Sequence, residues 1–134
     1  MLAPTVLTIR LTLHVLAAAV WVGGQIVMTG LIGPARGLGP DAPKTLARAF
    51  ARLAWPAYVV LVVTGIWNVT ALGYADMSPA WKAVLLAKIA VVVLAGLGVL
   101  LHQRATTKRG LAFWGAVGAL ASVVALVMGI LLAD

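Results

Sequence analysis

Four apolar runs of about 20 residues each constrain this chain more than any other feature of its sequence. A helix needs about 20 apolar residues to cross the hydrocarbon core of a bilayer. The mean hydropathy is +1.11, and 10% of the residues are charged, whereas a typical soluble domain has about 25%. We therefore predict an all-α integral membrane protein, a four-helix bundle with short loops that forms one domain over residues 1–134.

Turn-forming residues divide the apolar sequence into separate helices. Gly30 and Pro34 predict the end of the first helix and an irregular loop after it. Asp41 is typical of an N-cap, and Ser78 followed by Pro79 is a favoured start for the third helix. The predicted helices span about residues 5–29, 43–72, 79–102 and 111–132.

The net charge of +7 comes mainly from two basic connections, residues 29–52 and 102–110. Cytoplasmic loops of membrane proteins carry an excess of lysine and arginine. This rule predicts that both connections are cytoplasmic and both termini outside, in a multi-pass protein of the bacterial cytoplasmic (inner) membrane. The bilayer therefore accounts for the charge, and we expect no nucleic-acid partner. The chain has no cysteine, which excludes disulfides, thiolate metal sites and iron–sulfur clusters.

His14 is an ionisable side chain in the apolar stretch 11–28, with Arg10 one turn before it and Trp21 on the same helical face. Ionisable side chains are costly inside a membrane, so this histidine predicts a functional site. The alternative is a core histidine that hydrogen-bonds Thr64, Asn68 or a water molecule. Arg10 either reaches lipid headgroups or pairs with the carboxylates of a bound group.

The predicted helices bring further polar residues to the depth of His14. His14 lies nine residues after the start of its helix and Lys88 nine after Pro79, about 13 Å down in each case. Thr64, Asn68 and Ser122 fall in the same layer. Lys88 either extends past Trp81 toward water or points inward at a ligand.

An imidazole and a neutral amine at one depth in an apolar site predict either haem b or copper, with His14 and Lys88 as the metal ligands. Haem would use two axial nitrogen ligands, apolar walls that include Trp21, Thr64 and Asn68, and Arg10 for its propionates. Copper would use the imidazole and a methionine thioether. The candidate methionines are scattered in depth, which favours haem on chemical grounds: Met28, Met77 and Met128.

Small residues recur every three or four positions along the fourth predicted helix, which predicts a surface for close helix packing. They are Gly115, Gly118, Ser122, Ala125 and Gly129. His102, beside Gln103 and Arg104 at the predicted cytoplasmic end of the third helix, is typical of an interface residue.

Three segments carry a family resemblance: LHVLAAAVWVGGQ, ARLAWPAYVVLVVTGIWNV and LLAKIAVVVLAGLGVLLHQR. Together they resemble the membrane domain of the copper-resistance protein D (CopD) family, which implies copper handling across the inner membrane. The pattern is also similar to the related HemJ-type protoporphyrinogen oxidases. That resemblance implies a bundle that binds haem b, with His14 and Lys88 as functional residues and His102 at the histidine that often closes the third helix.

Three functional hypotheses follow. The first is a CopD-like protein with an intramembrane haem b or copper site, used for metal handling or electron transfer. The second is an enzyme, a HemJ-like porphyrinogen oxidase. The third is a structural accessory subunit of a larger membrane complex. The partners expected besides the bilayer are an electron-transfer protein or a second copy of the chain.

Overall fold

The computed structural model describes residues 4–134, and within them it contains long helices and no strand. All four helices are long and apolar enough to cross a membrane. The prediction of an all-α, multi-pass membrane protein is therefore confirmed, whereas its orientation and the identity of the membrane stay predictions. The helices are α1 (Val6–Arg36), α2 (Ala42–Leu72), α3 (Pro79–Arg104) and α4 (Lys108–Ala133).

The chain divides into two compact units, one that ends at Gly73 and one that begins at Tyr74. The first unit contains α1 and α2, which we call the first helix pair. The second unit contains α3 and α4, which we call the second helix pair. A single domain over the whole chain stays a prediction.

α1 runs seven residues beyond its predicted end and stops at Arg36. Glycine is common in membrane helices, and nothing packs where a Cβ on Gly30 or Gly33 would lie, so neither residue breaks the helix. The chain turns only after Pro34, where the Gly37 amide donates to the Pro34 carbonyl over 3.1 Å and Gly39 adopts a φ of 144°.

Five residues in the middle of α1, Ala19–Gly23, form a π-helical turn that the sequence did not predict. Such a turn widens the helix locally and is found most often near functional sites. It contains Trp21, whose side chain is 3% exposed. The turn therefore presents a large aromatic side chain to the interior of the first helix pair.

The helix starts agree in part with the predicted capping residues. Ser78 Oγ accepts the Trp81 amide over 3.1 Å and confirms the predicted start of α3. Asp41 occupies the N-cap position of α2 but makes no side-chain capping bond. Thr107 caps α4 through the Gly110 amide at 3.0 Å, and α4 therefore begins before the predicted residue 111.

The second helix pair packs backbone against backbone. A Cβ on Gly98 of α3 would lie 2.7 Å from the backbone nitrogen of Gly118 on α4. Around this contact Ala95, Ser122 and Ala125 are buried. The predicted small-residue surface of α4 is therefore confirmed as the face that meets α3.

Candidate functional site

The polar residues of the first helix pair lie where α1 faces α2. His14 Nδ1 is 2.8 Å from Thr64 Oγ1, and one turn earlier on α1 the Arg10 guanidinium carbon lies 5.9 Å from the centroid of the Trp67 ring. From His14 back to Arg10 on α1, the contacted residue on α2 moves forward from Thr64 to Trp67, so the two helices are antiparallel. The predicted core contact between His14 and Thr64 is therefore present.

The hydroxyl of Thr64 determines which nitrogen of His14 carries the proton. Thr64 is 3% exposed, and its hydroxyl donates to the Val60 carbonyl over 2.6 Å. A threonine hydroxyl has one hydrogen, so it accepts from His14 Nδ1–H. In the neutral imidazole the lone pair is then on Nε2, the arrangement in which histidine binds a metal through that atom.

A glycine on α2 gives the His14 ring its space. A Cβ built on Gly65 would lie 3.6 Å from His14 Cε1, the ring carbon between the two nitrogens. That distance is ordinary van der Waals contact, so an alanine would fit at Gly65 and a larger side chain would meet the ring. The His14 ring therefore lies against the backbone of α2 at Gly65, with room for a methyl group between them.

Arg10 is the buried charged residue of this pair. It is 7% exposed, and its Nε is covered by protein without a hydrogen-bond partner. The side-chain oxygen of Asn68 on α2 is also buried and without a partner. Buried polar groups are nearly always hydrogen-bonded in native proteins, to protein or to ordered water, so each atom has room for one further hydrogen bond.

Trp21 belongs to a cluster of three aromatic rings. Its ring centroid lies 5.4 Å from that of Trp55, edge to face, and 4.6 Å from that of Tyr58. The side-chain amide of Gln25 donates to the Trp21 carbonyl over 2.9 Å. These contacts pack Trp21 firmly between α1 and α2, and its predicted contact with a cofactor stays a prediction.

Lys88 extends from α3 to the neighbouring helix within the second pair. A Cβ on Gly129 of α4 would lie 3.0 Å from Lys88 Nζ. Lys88 lies ten residues before Gly98 on α3, and Met128 lies ten residues after Gly118 on the antiparallel α4. Lys88 and Met128 are therefore at about the same level. The Lys88 amine therefore lies at nearly the depth of the Lys88 backbone and does not extend past Trp81. The Trp81 indole makes a separate bond and donates to the Leu132 carbonyl over 3.1 Å.

His14 belongs to the first helix pair and Lys88 to the second. Their predicted pairing around one cofactor stays a prediction. Ser122, expected in the same layer, is 2% exposed, and its hydroxyl donates to the Gly118 carbonyl of its own helix over 2.7 Å. This bond satisfies a hydroxyl at the face that packs on α3.

His102, the second histidine, joins the end of α3 to the start of α4. Its Nδ1 donates to the Leu111 carbonyl over 2.7 Å, because a carbonyl can only accept. A Cβ on Gly115 would come within 3.0 Å of that nitrogen. These contacts fit the predicted interface residue, and they give His102 a role in holding two helices together.

Residues 4–134 contain no group of three or more histidine, cysteine, aspartate or glutamate side chains that could hold a metal ion. A copper site built from three or more of these four residue types therefore has no counterpart in this part of the chain, whereas a site of His14 with methionine or Lys88 stays a prediction. Haem iron is already held by four porphyrin nitrogens and needs only one or two axial ligands from protein. His14, whose Nδ1–H donates to Thr64 Oγ1, is of the residue type that supplies such an axial ligand.

Comparisons with family models, curated proteins and solved structures gave no match for this chain. The likeness to CopD-type and HemJ-type membrane proteins therefore stays a resemblance in three sequence segments.

Proposed function

We propose that this multi-pass membrane protein binds haem b through His14 and serves in electron transfer. The observation that carries the proposal is the hydrogen bond from His14 Nδ1 to Thr64 Oγ1, at 2.8 Å. Histidines that ligate metals usually donate their other ring N–H to a fixed acceptor, which sets the ring's orientation and tautomer. His14 has such an acceptor inside a helix of membrane-spanning length.

Each residue around His14 has a defined task in this proposal. Thr64 accepts the Nδ1 proton and keeps the lone pair on Nε2. Gly65 leaves room for the imidazole beside α2. Bound haem would supply a centre that gains and loses one electron at a time. The resemblance predicts Lys88 as a second nitrogen ligand, but the proposal requires only His14.

The donor set favours haem over copper. A protein copper site needs several imidazole, thiolate or thioether ligands, and the chain has no cysteine. Residues 4–134 also lack a group of three or more histidine, cysteine, aspartate or glutamate side chains that could hold a metal ion. A single well-oriented imidazole is enough to hold haem iron. The CopD-like resemblance supports copper instead, and metal analysis of the purified protein would separate the two.

The test is an absorption spectrum of the protein purified in detergent, as isolated and after reduction. We expect a Soret band in the wild-type protein, loss of that band in His14→Ala, and its retention in His102→Ala. His102 is the matched control because its Nδ1 also donates to an oxygen, the Leu111 carbonyl. Bound copper without a Soret band would support the copper alternative. A protein with neither metal and with full function after His14→Ala would support the accessory-subunit hypothesis.

A further inference from the structure

We propose that Arg10 and Asn68 bind the headgroup of a phospholipid that has an N–H or O–H donor beside its phosphodiester. Phosphatidylethanolamine and phosphatidylglycerol have this chemistry, whereas phosphatidylcholine has the phosphodiester without the donor. The inference concerns a ligand other than haem and stands independently of the proposed function.

The first step is the pair of polar atoms without partners. Arg10 is more than nine-tenths buried, and its Nε donates to no atom of residues 4–134. The Asn68 side-chain oxygen is covered and accepts from none. The contact of the guanidinium with the Trp67 ring leaves the Nε–H without an acceptor, and a buried polar group that makes no hydrogen bond is unfavourable. A ligand that accepts from the guanidinium and donates to the amide oxygen would satisfy both.

The second step is that the two residues share one level of the first helix pair. His14 and Thr64 are hydrogen-bonded, and α1 and α2 are antiparallel. Four residues outward from this bond lie Arg10 on α1 and Asn68 on α2. The Arg10 guanidinium above the ring of Trp67, the residue before Asn68, confirms that level.

The third step is the depth of this level. Helices α1 and α2 have 31 residues each, or about 46 Å at about 1.5 Å per residue. The hydrocarbon core is about 30 Å thick, so about 20 residues of each helix cross it, and the basic connection over residues 29–52 places the excess length at the end of α1 and the start of α2. Arg10 lies four residues inside the start of α1 and Asn68 four inside the end of α2. That is about 6 Å from the helix ends that lie opposite the basic connection, a distance that a long arginine side chain can span to reach the lipid headgroups.

The fourth step is the match between the site and the headgroup. A guanidinium forms strong, directional hydrogen bonds to phosphate oxygens. An ethanolamine ammonium or a glycerol hydroxyl can donate to the Asn68 oxygen, and a choline headgroup cannot. Trp67 is 39% exposed, as expected of a tryptophan at the boundary between hydrocarbon and headgroups. Arg10 Nε and the Asn68 oxygen are covered in this structure, so a headgroup would have to displace the partly exposed Trp67 ring to reach them.

The test is native mass spectrometry of the full chain in detergent with equal amounts of the three lipids. We expect the wild-type protein to retain phosphatidylethanolamine, phosphatidylglycerol or both about 10-fold more than phosphatidylcholine. Separate spectra with each lipid show whether the ammonium or the hydroxyl is the preferred donor. Equal retention of all three by the wild-type protein would overturn the proposal and leave an ordered water molecule between Arg10 and Asn68.

Two variants and one control complete the test. Arg10→Gln should lose most of the lipid, and Asn68→Leu should lose the preference over phosphatidylcholine. The matched control is Arg36→Gln, at an exposed arginine that ends α1, which should bind lipid as the wild-type protein does. If Arg10→Gln loses its Soret band but retains lipid, Arg10 serves haem propionates and the inference is wrong. If Arg10→Gln does not fold, Asn68→Leu decides, and an unchanged preference contradicts the proposal.

Discussion

The two helix pairs of this protein use different kinds of contact to hold their helices together. In the second pair, a Cβ on Gly98 would lie 2.7 Å from the Gly118 backbone nitrogen, so the two backbones approach closely. In the first pair, polar and aromatic side chains fill the interface, with the His14–Thr64 hydrogen bond at its centre. Close backbone packing stabilises the second pair, although Lys88 extends to Gly129 within it, whereas the polar interface of the first pair is costly unless it performs a task.

This difference suggests a division of tasks along the chain. The second pair has the features expected of a stable support, because its small residues leave little space for a ligand. The first pair contains the π-helical turn, a buried arginine and polar atoms without partners. Features that cost stability are tolerated where function requires them. The following predictions test whether the two pairs divide stability and binding in this way.

The largest effect is expected from Gly98→Leu in the second pair. The side chain would enter the backbone of Gly118, and overpacking of this kind costs about 3 kcal/mol or more. The free energy of unfolding or the thermal midpoint in detergent would measure the loss. Gly30→Ala is the matched control, because nothing lies near its Cβ position and alanine favours a helix over glycine by about 0.5–1 kcal/mol. Equal stabilities of the two variants would contradict the support role of this contact.

The next largest effect is expected from Thr64→Val, which keeps the shape of the side chain and removes the hydroxyl. His14 Nδ1 then loses the acceptor that orients it. Loss of such a partner lowers the affinity of a metal ligand by about 10–100-fold, and haem titration would measure the change. Thr64→Ser keeps the hydroxyl and should restore most of the affinity. Unchanged haem affinity in Thr64→Val would show that the hydrogen bond does not strengthen haem binding by His14.

A smaller effect is expected from Gly24→Ala in the first pair. Its Cβ would overlap the ring of Phe50, but a ring at the end of a side chain can move aside where a backbone cannot. We expect a loss of about 1–2 kcal/mol in the free energy of unfolding. The double variant Gly24→Ala with Phe50→Leu should recover part of it, as a double-mutant cycle would show. No recovery would mean that the ring is not the cause.

The smallest effect is expected from His102→Ala. It removes the hydrogen bond to the Leu111 carbonyl and should cost about 1 kcal/mol in the free energy of unfolding. The haem spectrum should not change, because this histidine holds α3 to α4. Loss of the Soret band in His102→Ala would reverse the roles assigned to the two histidines.

Most of the fold could be predicted from local sequence features. Apolar runs of membrane length predicted four helices, and Ser78 with Pro79 gave the start of α3, because capping is a short-range interaction. The end of α1 was predicted too early, because Gly30 interrupts a helix in water more readily than in a membrane. The π-helical turn at Ala19–Gly23 could not be predicted, because it depends on packing around Trp21 rather than on local preference.

The candidate site could be predicted in part. The cost of burying His14 identified it, and Thr64 was among its predicted partners because the two lie at one depth. The sequence left two alternatives for Arg10, lipid headgroups or carboxylates, because its burial depends on how α1 meets α2. It left two alternatives for Lys88 as well, and the position of Gly129 on α4 accounts for where the amine lies.

The most direct test of the central claim is chemical rescue of His14→Gly. This variant removes the imidazole and leaves space for a free one beside Gly65. We predict that the purified variant lacks the Soret band and that added imidazole restores it in haem-supplemented protein. A His14→Gly protein that retains the full wild-type spectrum, or one that imidazole cannot restore although it folds normally, would contradict the claim that His14 binds haem.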